Sequence, residues 1–220
     1  MQKNQTRRKF IVNSSKIVAT IVGVITFGKY VSFSQVTNET NPISANIFSK
    51  RETKILIAYE SQFGSTAEVA TFIGKNLSVD KQEIEIKKIN EIDDLSPYSK
   101  IIIGSAIQYD KWMPEARNFV IANRKELEDI PVAFFFTCLV LSKKTEKARL
   151  QAKGYSDNLK SLVTEIKPTS VGQFAGVLDY SKMSFGQRIL AKGLFAIIGV
   201  KEGDYRDWKK IKKWTEKLEF

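Results

Sequence analysis

A chain of 220 residues that is 43% hydrophobic and 11% aromatic can build one sizeable packed α/β domain and does not read as disordered. One cysteine, Cys138, and no histidine exclude an intrachain disulfide, cysteine-clustered zinc or iron–sulfur centres, and Ser–His–Asp, Cys–His or histidine-ligated metal chemistry; a bound cofactor is expected to supply any catalysis. The formal charge of +11 is uneven, with seven basic residues and one acid in residues 1–50 against 28 basic and 23 acidic residues beyond, and no aromatic–basic interleaving points to a nucleic-acid partner.

The N-terminal stretch TRRKFIVNSSKIVATIVGVITFGKYVSF has a basic start from Lys3 to Lys9, an apolar run from Ile17 to Gly28, and no acid before Glu39. That is the layout of an export signal. Thr6-Arg7-Arg8-Lys9-Phe10-Ile11 resembles the twin-arginine motif, which addresses proteins for export after folding. The apolar run is about a dozen residues, against the ~20 of a comfortable transmembrane helix. No clean A-x-A site follows it. Residues 1–33 are therefore expected to be an export signal or a membrane anchor, which places the protein in the cell envelope or on the extracytoplasmic face of a membrane. Residues 34–52 are mostly polar, carry Pro42, and read as a tether to a domain spanning 53–220.

From Thr53 the chain alternates. Strands are predicted at Lys54–Tyr59, Glu83–Lys88, Lys100–Ser105, Val132–Thr137 and Val171–Leu178, and helices at Thr66–Leu77, Pro114–Arg124, Lys143–Ile166 and Asp204–Leu218. IIIGS and VAFFFT are continuous apolar runs, as central strands covered on both faces require. EIEIKK alternates, which suits an edge strand. Five strands separated by helices predict a parallel, doubly wound sheet, and ligands bind such sheets beyond the carboxyl ends of the strands. The exits of the first, third and fourth strands read YESQFGST, GSAIQYDKW and FTCLVLS.

The first exit carries hydroxyls at Ser61, Ser65 and Thr66 around Gly64, at the head of a helix whose unpaired amides favour an anion. The Lys of a Walker loop and the G-x-G-x-x-G of a dinucleotide fold are both missing. Densely packed neutral donors suit a terminal phosphate monoester, although a Ser-rich helix cap after a turn glycine has the same look. YESQFGST resembles the phosphate loop of the flavodoxin family, (S/T)-x-T-G-x-T directly after the first strand. Ser61, Gly64 and Thr66 match; Phe63 replaces the middle Thr, and Ser65 offers a hydroxyl beside it. IIIGSAIQYDKW, PVAFFFTCLV, FAGVLDY and RDWKKIKKW are similar to the flavodoxin-type, menaquinone-dependent protoporphyrinogen dehydrogenases, FMN enzymes that pass electrons to a quinone.

The resemblance implies a flavodoxin-like three-layer sandwich with a five-stranded parallel sheet in the order 2-1-3-4-5. It implies FMN, with Ser61, Gln62, Phe63, Gly64, Ser65 and Thr66 around the phosphate. Ser105, Ala106, Ile107, Gln108, Tyr109 and Trp112 would flank the isoalloxazine ring, with Tyr109 and Trp112 as stacking aromatics. Backbone groups of Thr137, Cys138 and Leu139 would meet the pyrimidine edge. Cys138 itself, after FFFT, reads as a small buried hydrophobe without chemistry. No catalytic side chain is assigned.

Two further features stand out. Lys143 and Lys144 fall in the predicted first turn of a helix, where the dipole disfavours cations; they are either a solvated pair or a contact for an anionic partner. FGQRILAKGLFAIIGV, Phe185–Val200, is a basic amphipathic segment that either docks on a membrane surface or quinone-bearing partner or packs against the domain. The function implied is an exported FMN oxidoreductase passing electrons between a reduced substrate and a quinone or redox partner. The alternatives are an exported electron carrier without its own substrate and a ligand-free docking module.

Overall fold

The structure is a computed structural model that describes residues 54–77 and 83–218. The expected leader and the whole of the tether lie outside the described residues. Five long strands, β1 (Lys54–Glu60), β2 (Glu83–Lys88), β3 (Lys100–Gln108), β5 (Val132–Cys138) and β6 (Ser170–Ala175), form one parallel sheet in the spatial order β2-β1-β3-β5-β6. A short strand β4 (Lys111–Trp112) folds back antiparallel on β3. Counting only the long strands, this is the predicted order 2-1-3-4-5.

The strands are apolar on both sides because both faces are covered. All seven residues of β5 are buried, and their side chains alternate between two cores. Phe134 and Phe136 join Ile101, Ile103 and Leu127 on one face, against α2 (Pro114–Ala122), α3 (Arg124–Glu128) and α4 (Glu146–Leu162). Phe135 joins Ile57, Ile102 and Phe174 on the other, against α1 (Ser65–Leu77) and α6 (Trp208–Thr215). Gly104 is opposite Phe135 in the β3–β5 register, and a Cβ there would stand 2.0 Å from the ring. The glycine is what lets the phenylalanine lie across β3.

Several boundaries differ from expectation for local reasons. β3 continues past Ser105 and turns at Tyr109 (φ 49) and Asp110 (φ 60), a two-residue turn with both residues left-handed, which matches the twist of the paired strands. The predicted fifth strand breaks at Gly176. Its tail, β7 (Val177–Leu178), pairs antiparallel with β8 (Gly203–Asp204). The predicted Pro114–Arg124 helix ends at Ala122, and α3 starts after Asn123. α4 begins only at Glu146, where the Thr145 hydroxyl accepts the Ala148 amide at 3.2 Å. Lys143 and Lys144 therefore precede the helix, and the conflict with its dipole does not arise. The last helix starts at Trp208 rather than Asp204, with the Asp207 carboxylate accepting the Lys210 amide at 3.0 Å. Residues 185–198 form a separate helix, α5 (Phe185–Ile198), capped by a reciprocal Ser184–Gln187 pair.

Candidate cofactor site

The parallel register brings the carboxyl ends of β1, β3 and β5 to one side of the sheet, and the predicted site residues come from these three exits. β1 ends in a buried Glu60, whose carboxylate accepts the Ser61 amide at 3.1 Å. The Ser61 hydroxyl in turn accepts the Gly64 amide at 3.1 Å and closes the turn. Gly64 has φ 88, a left-handed geometry that favours glycine, and its carbonyl accepts the Glu68 amide at 3.0 Å as α1 begins. Phe63 is half-buried in this turn.

The three loop hydroxyls do different things. Ser61 ties the turn. Thr66 is buried, and its Oγ1 shares a 2.8 Å hydrogen bond with Thr137 Oγ1 at the end of β5, which pins the loop to the sheet. Ser65 Oγ is buried and has no hydrogen-bond partner among the described residues. It lies 3.6 Å from where a Cβ on Gly176 would stand, so the break between β6 and β7 leaves it room. An unpaired buried hydroxyl at a helix N-terminus, beside a turn without a side chain, fits an oxygen-rich anion such as a phosphate monoester.

At the other two exits, Gln108 Nε2 donates to Gln62 Oε1, so the β1 loop and the end of β3 share one rim. Ala106 and Ile107 are half-buried behind it. Tyr109 is 95% exposed at the tip of the hairpin. Its neighbour Asp110 accepts from the Tyr155 hydroxyl and from Gln151 Nε2 (3.0 Å), which ties the hairpin to α4. Burial and the Asp110 carboxylate push the Tyr155 hydroxyl well above the usual phenol range.

The side chains of Trp112 and Ser105, both expected beside the ring, pack inward. Trp112 is 3% exposed and packs edge-on against Phe134 (5.8 Å) and Phe136 (6.4 Å). Pairing with Ile107 turns it to the core face of the hairpin, so its ring is not available to stack on a cofactor. Ser105 is fully buried; its hydroxyl donates to the Ala106 carbonyl at 2.8 Å and accepts the Met113 amide at 3.0 Å, locking the hairpin's return. At β5, Thr137 and Cys138 are buried and Leu139 is half-exposed before a 3-10 turn at Val140–Ser142. Burial pushes the Cys138 thiol up to about 11, which keeps it protonated at neutral pH.

One feature of the site had no signal in the sequence. Glu68, in the first turns of α1, accepts from Arg206 Nη1 at 2.6 Å and pairs with Lys182 Nζ at 3.4 Å, and Arg206 also grips Asp204 at 2.6 Å. Arg206 above all, then Lys182, holds the Glu68 carboxyl below its ordinary range. Lys182 Nζ lies 3.7 Å from the position of a Cβ on Gly64, so a cation stands at the loop's edge. Glu68 and Arg206 are 138 residues apart, and no local pattern relates them.

A parallel doubly wound sheet with a hydroxyl-and-glycine turn between its first strand and first helix defines a flavodoxin-like α/β protein. The chain belongs to the flavodoxin domain family, whose pattern matches residues 56–203, and its cofactor is FMN. It is 23% identical over 172 residues, 75% of this chain and 94% of the other, to an Escherichia coli (strain K12) protein named protoporphyrinogen IX dehydrogenase (quinone). A Leishmania major protein of the same name is 25% identical over 174 residues, 74% of this chain and 73% of that protein. Among solved structures, oxidised Flavodoxin 2 from Bacillus cereus is 22% identical, with a TM-score of 0.41 over 66% of this chain and 96% of that one. A Lactobacillus acidophilus flavoprotein in complex with FMN is 16% identical, with a TM-score of 0.41 over 56% of this chain and 93% of that one.

Proposed function

We propose that this chain is an FMN-dependent oxidoreductase that takes electrons from a reduced substrate of the protoporphyrinogen class and passes them to a quinone or a redox-protein partner. The observation that carries the reading is the Ser61–Thr66 loop, with its unpaired Ser65 hydroxyl, at the head of α1 in a flavodoxin-domain chain. The names of the Escherichia coli and Leishmania major relatives support the substrate and acceptor classes.

FMN, when bound, supplies the reversible electron and hydride chemistry that no side chain here could provide. The protein's part is to hold and orient it. Ser61 fixes the turn; Ser65 Oγ and the first amides of α1 would hold the phosphate oxygens; the Thr66–Thr137 bond keeps loop and sheet in register. Gln62 and Gln108 close one side of the ring site, and Tyr109 offers an exposed aromatic face. Backbone groups of Thr137 to Leu139 would hold the polar edge of the ring. Cys138 stays a buried thiol without a redox role. Residues 1–33 act as a twin-arginine leader that exports the domain already folded and loaded, which puts the activity at the cell envelope.

The test is the visible spectrum of the full chain purified with and without added FMN, followed by a protoporphyrinogen–quinone turnover assay. Flavin bands that survive desalting, with turnover, are the expected result. Flavin bands without turnover would leave an electron carrier. A protein that stays colourless would leave a docking module.

A further inference from the structure

α5 is turned the wrong way for an ordinary surface helix. An amphipathic helix normally buries its apolar stripe and exposes its polar one. Here no residue of α5 is buried. The half-buried Arg188, Ala191 and Phe195, spaced i, i+3 and i+7, form its inward line. Phe185, Ile189, Leu190, Leu194, Ile197 and Ile198 are all exposed, with Phe185 at 79%, Leu190 at 74% and Ile197 at 86%. Only two other large hydrophobics among the described residues, Tyr109 and Leu150, are exposed in this way. A concentrated apolar face of this kind marks a contact surface rather than ordinary scatter.

The charge around it says what the contact is with. The chain has no acid from Lys182 to Lys201; Lys182 is paired with Glu68 and Arg188 lies in the inward line, which leaves the exposed Lys192 and Lys201 as the cations open to a partner. Lys192 lies at the border between the inward line and the apolar face. A second copy docking by the same face would bring these cations against their own counterparts. An apolar face rimmed by cations instead complements a surface that is negative outside and hydrocarbon beneath. At 14 residues the helix is about 21 Å long, short of the ~30 Å hydrocarbon core, so it suits lying in the interface.

We propose that α5 docks the folded domain on an anionic lipid bilayer, with Phe185, Leu190 and Ile197 entering the acyl boundary and the flanking lysines meeting lipid phosphates. The inference rests on the helix alone and holds whether or not the flavin reading does.

The test uses the full chain carrying Ile197→Cys labelled with a nitrobenzoxadiazole fluorophore; the native Cys138 is buried. A label on α5 reports that helix and not the leader. Vesicles of phosphatidylglycerol and phosphatidylcholine are expected to shift its emission to the blue and raise it several-fold, with little response to phosphatidylcholine alone. Leu190→Glu with Leu194→Glu should lower the partition coefficient at least about tenfold. Lys192→Gln, which leaves the apolar face whole, should lower it about fivefold on anionic vesicles only. Circular dichroism checks that each variant folds. A label that stays in water while the chain sediments with vesicles overturns the proposal, because the leader alone then binds. So does a blue shift without lipid that grows with protein concentration, since a second copy would then be covering the face.

Discussion

Ser65 is the residue whose environment fits a bound anion. A buried hydroxyl gains from a hydrogen-bond partner, and a phosphate oxygen at the loop would give Ser65 Oγ one. Ser65→Ala should leave the urea midpoint of the cofactor-free protein unchanged or slightly higher. FMN affinity should fall about tenfold while riboflavin, which lacks the phosphate, binds as before; equal losses for both ligands would remove Ser65 from the phosphate site. Cys138 makes the opposite case, a residue with reactive chemistry that its burial suppresses. Its thiol should ignore a disulfide reagent at pH 7.5 in the native protein and react in one equivalent after unfolding. Gly104 is constrained by its neighbour alone. Gly104→Ala places a methyl inside the van der Waals radius of the Phe135 ring and should lower unfolding stability by about 3 kcal/mol in a urea titration.

At the scale of elements, the edge strand β2 carries a cluster of charges beside its two isoleucines. Lys54 of β1 bridges Glu83 (2.9 Å) and Glu85 (3.0 Å), Lys87 pairs with Glu85 at 2.7 Å, and the Tyr98 hydroxyl donates to the same carboxylate at 2.7 Å. Lys87 first, then Tyr98 and Lys54, hold the Glu85 carboxyl at about 2 against an ordinary 4.5. A depressed carboxyl stabilises the fold above its unfolded value, and that stabilisation disappears as pH falls through the folded value. Stability should therefore decline between about pH 4.5 and pH 2. In Glu85→Gln the urea midpoint should fall less steeply over the same range. Equal slopes in the two proteins would mean that the cluster contributes nothing, as many exposed pairs do.

For the whole molecule, the N-terminal stretch predicts where the domain works. Twin-arginine transport carries folded proteins, so a flavin domain can be loaded before it leaves the cytoplasm. Expressed in Escherichia coli, the full chain should reach the envelope with its flavin. The double variant Arg7→Lys, Arg8→Lys should remain in the cytoplasm, folded and equally yellow. Envelope recovery of that variant, measured by fractionation, would point to an ordinary signal or an anchor instead. An exported domain with an outward apolar helix would meet the membrane by two routes, and the label on Ile197→Cys separates them.

What the sequence determined by itself was the order of the layers and the place of the loop. Apolar runs such as VAFFFT, the alternation of EIEIKK and the turn at Gly64 are local properties, since burial on two faces, burial on one face and a left-handed backbone each select residues within a few positions. The tertiary structure decided what those residues face. The family resemblance makes Trp112 a ring-stacking aromatic after β3, yet the Tyr109–Asp110 turn directs it into the core. Thr66 meets Thr137 across 71 residues, and Glu68 meets Arg206 across 138. Such pairs form because the sheet brings distant strand ends together, and no period in the chain encodes them. α5 shows the limit from the other side: its amphipathic pattern was legible, but only its packing revealed that the apolar face points away from the domain.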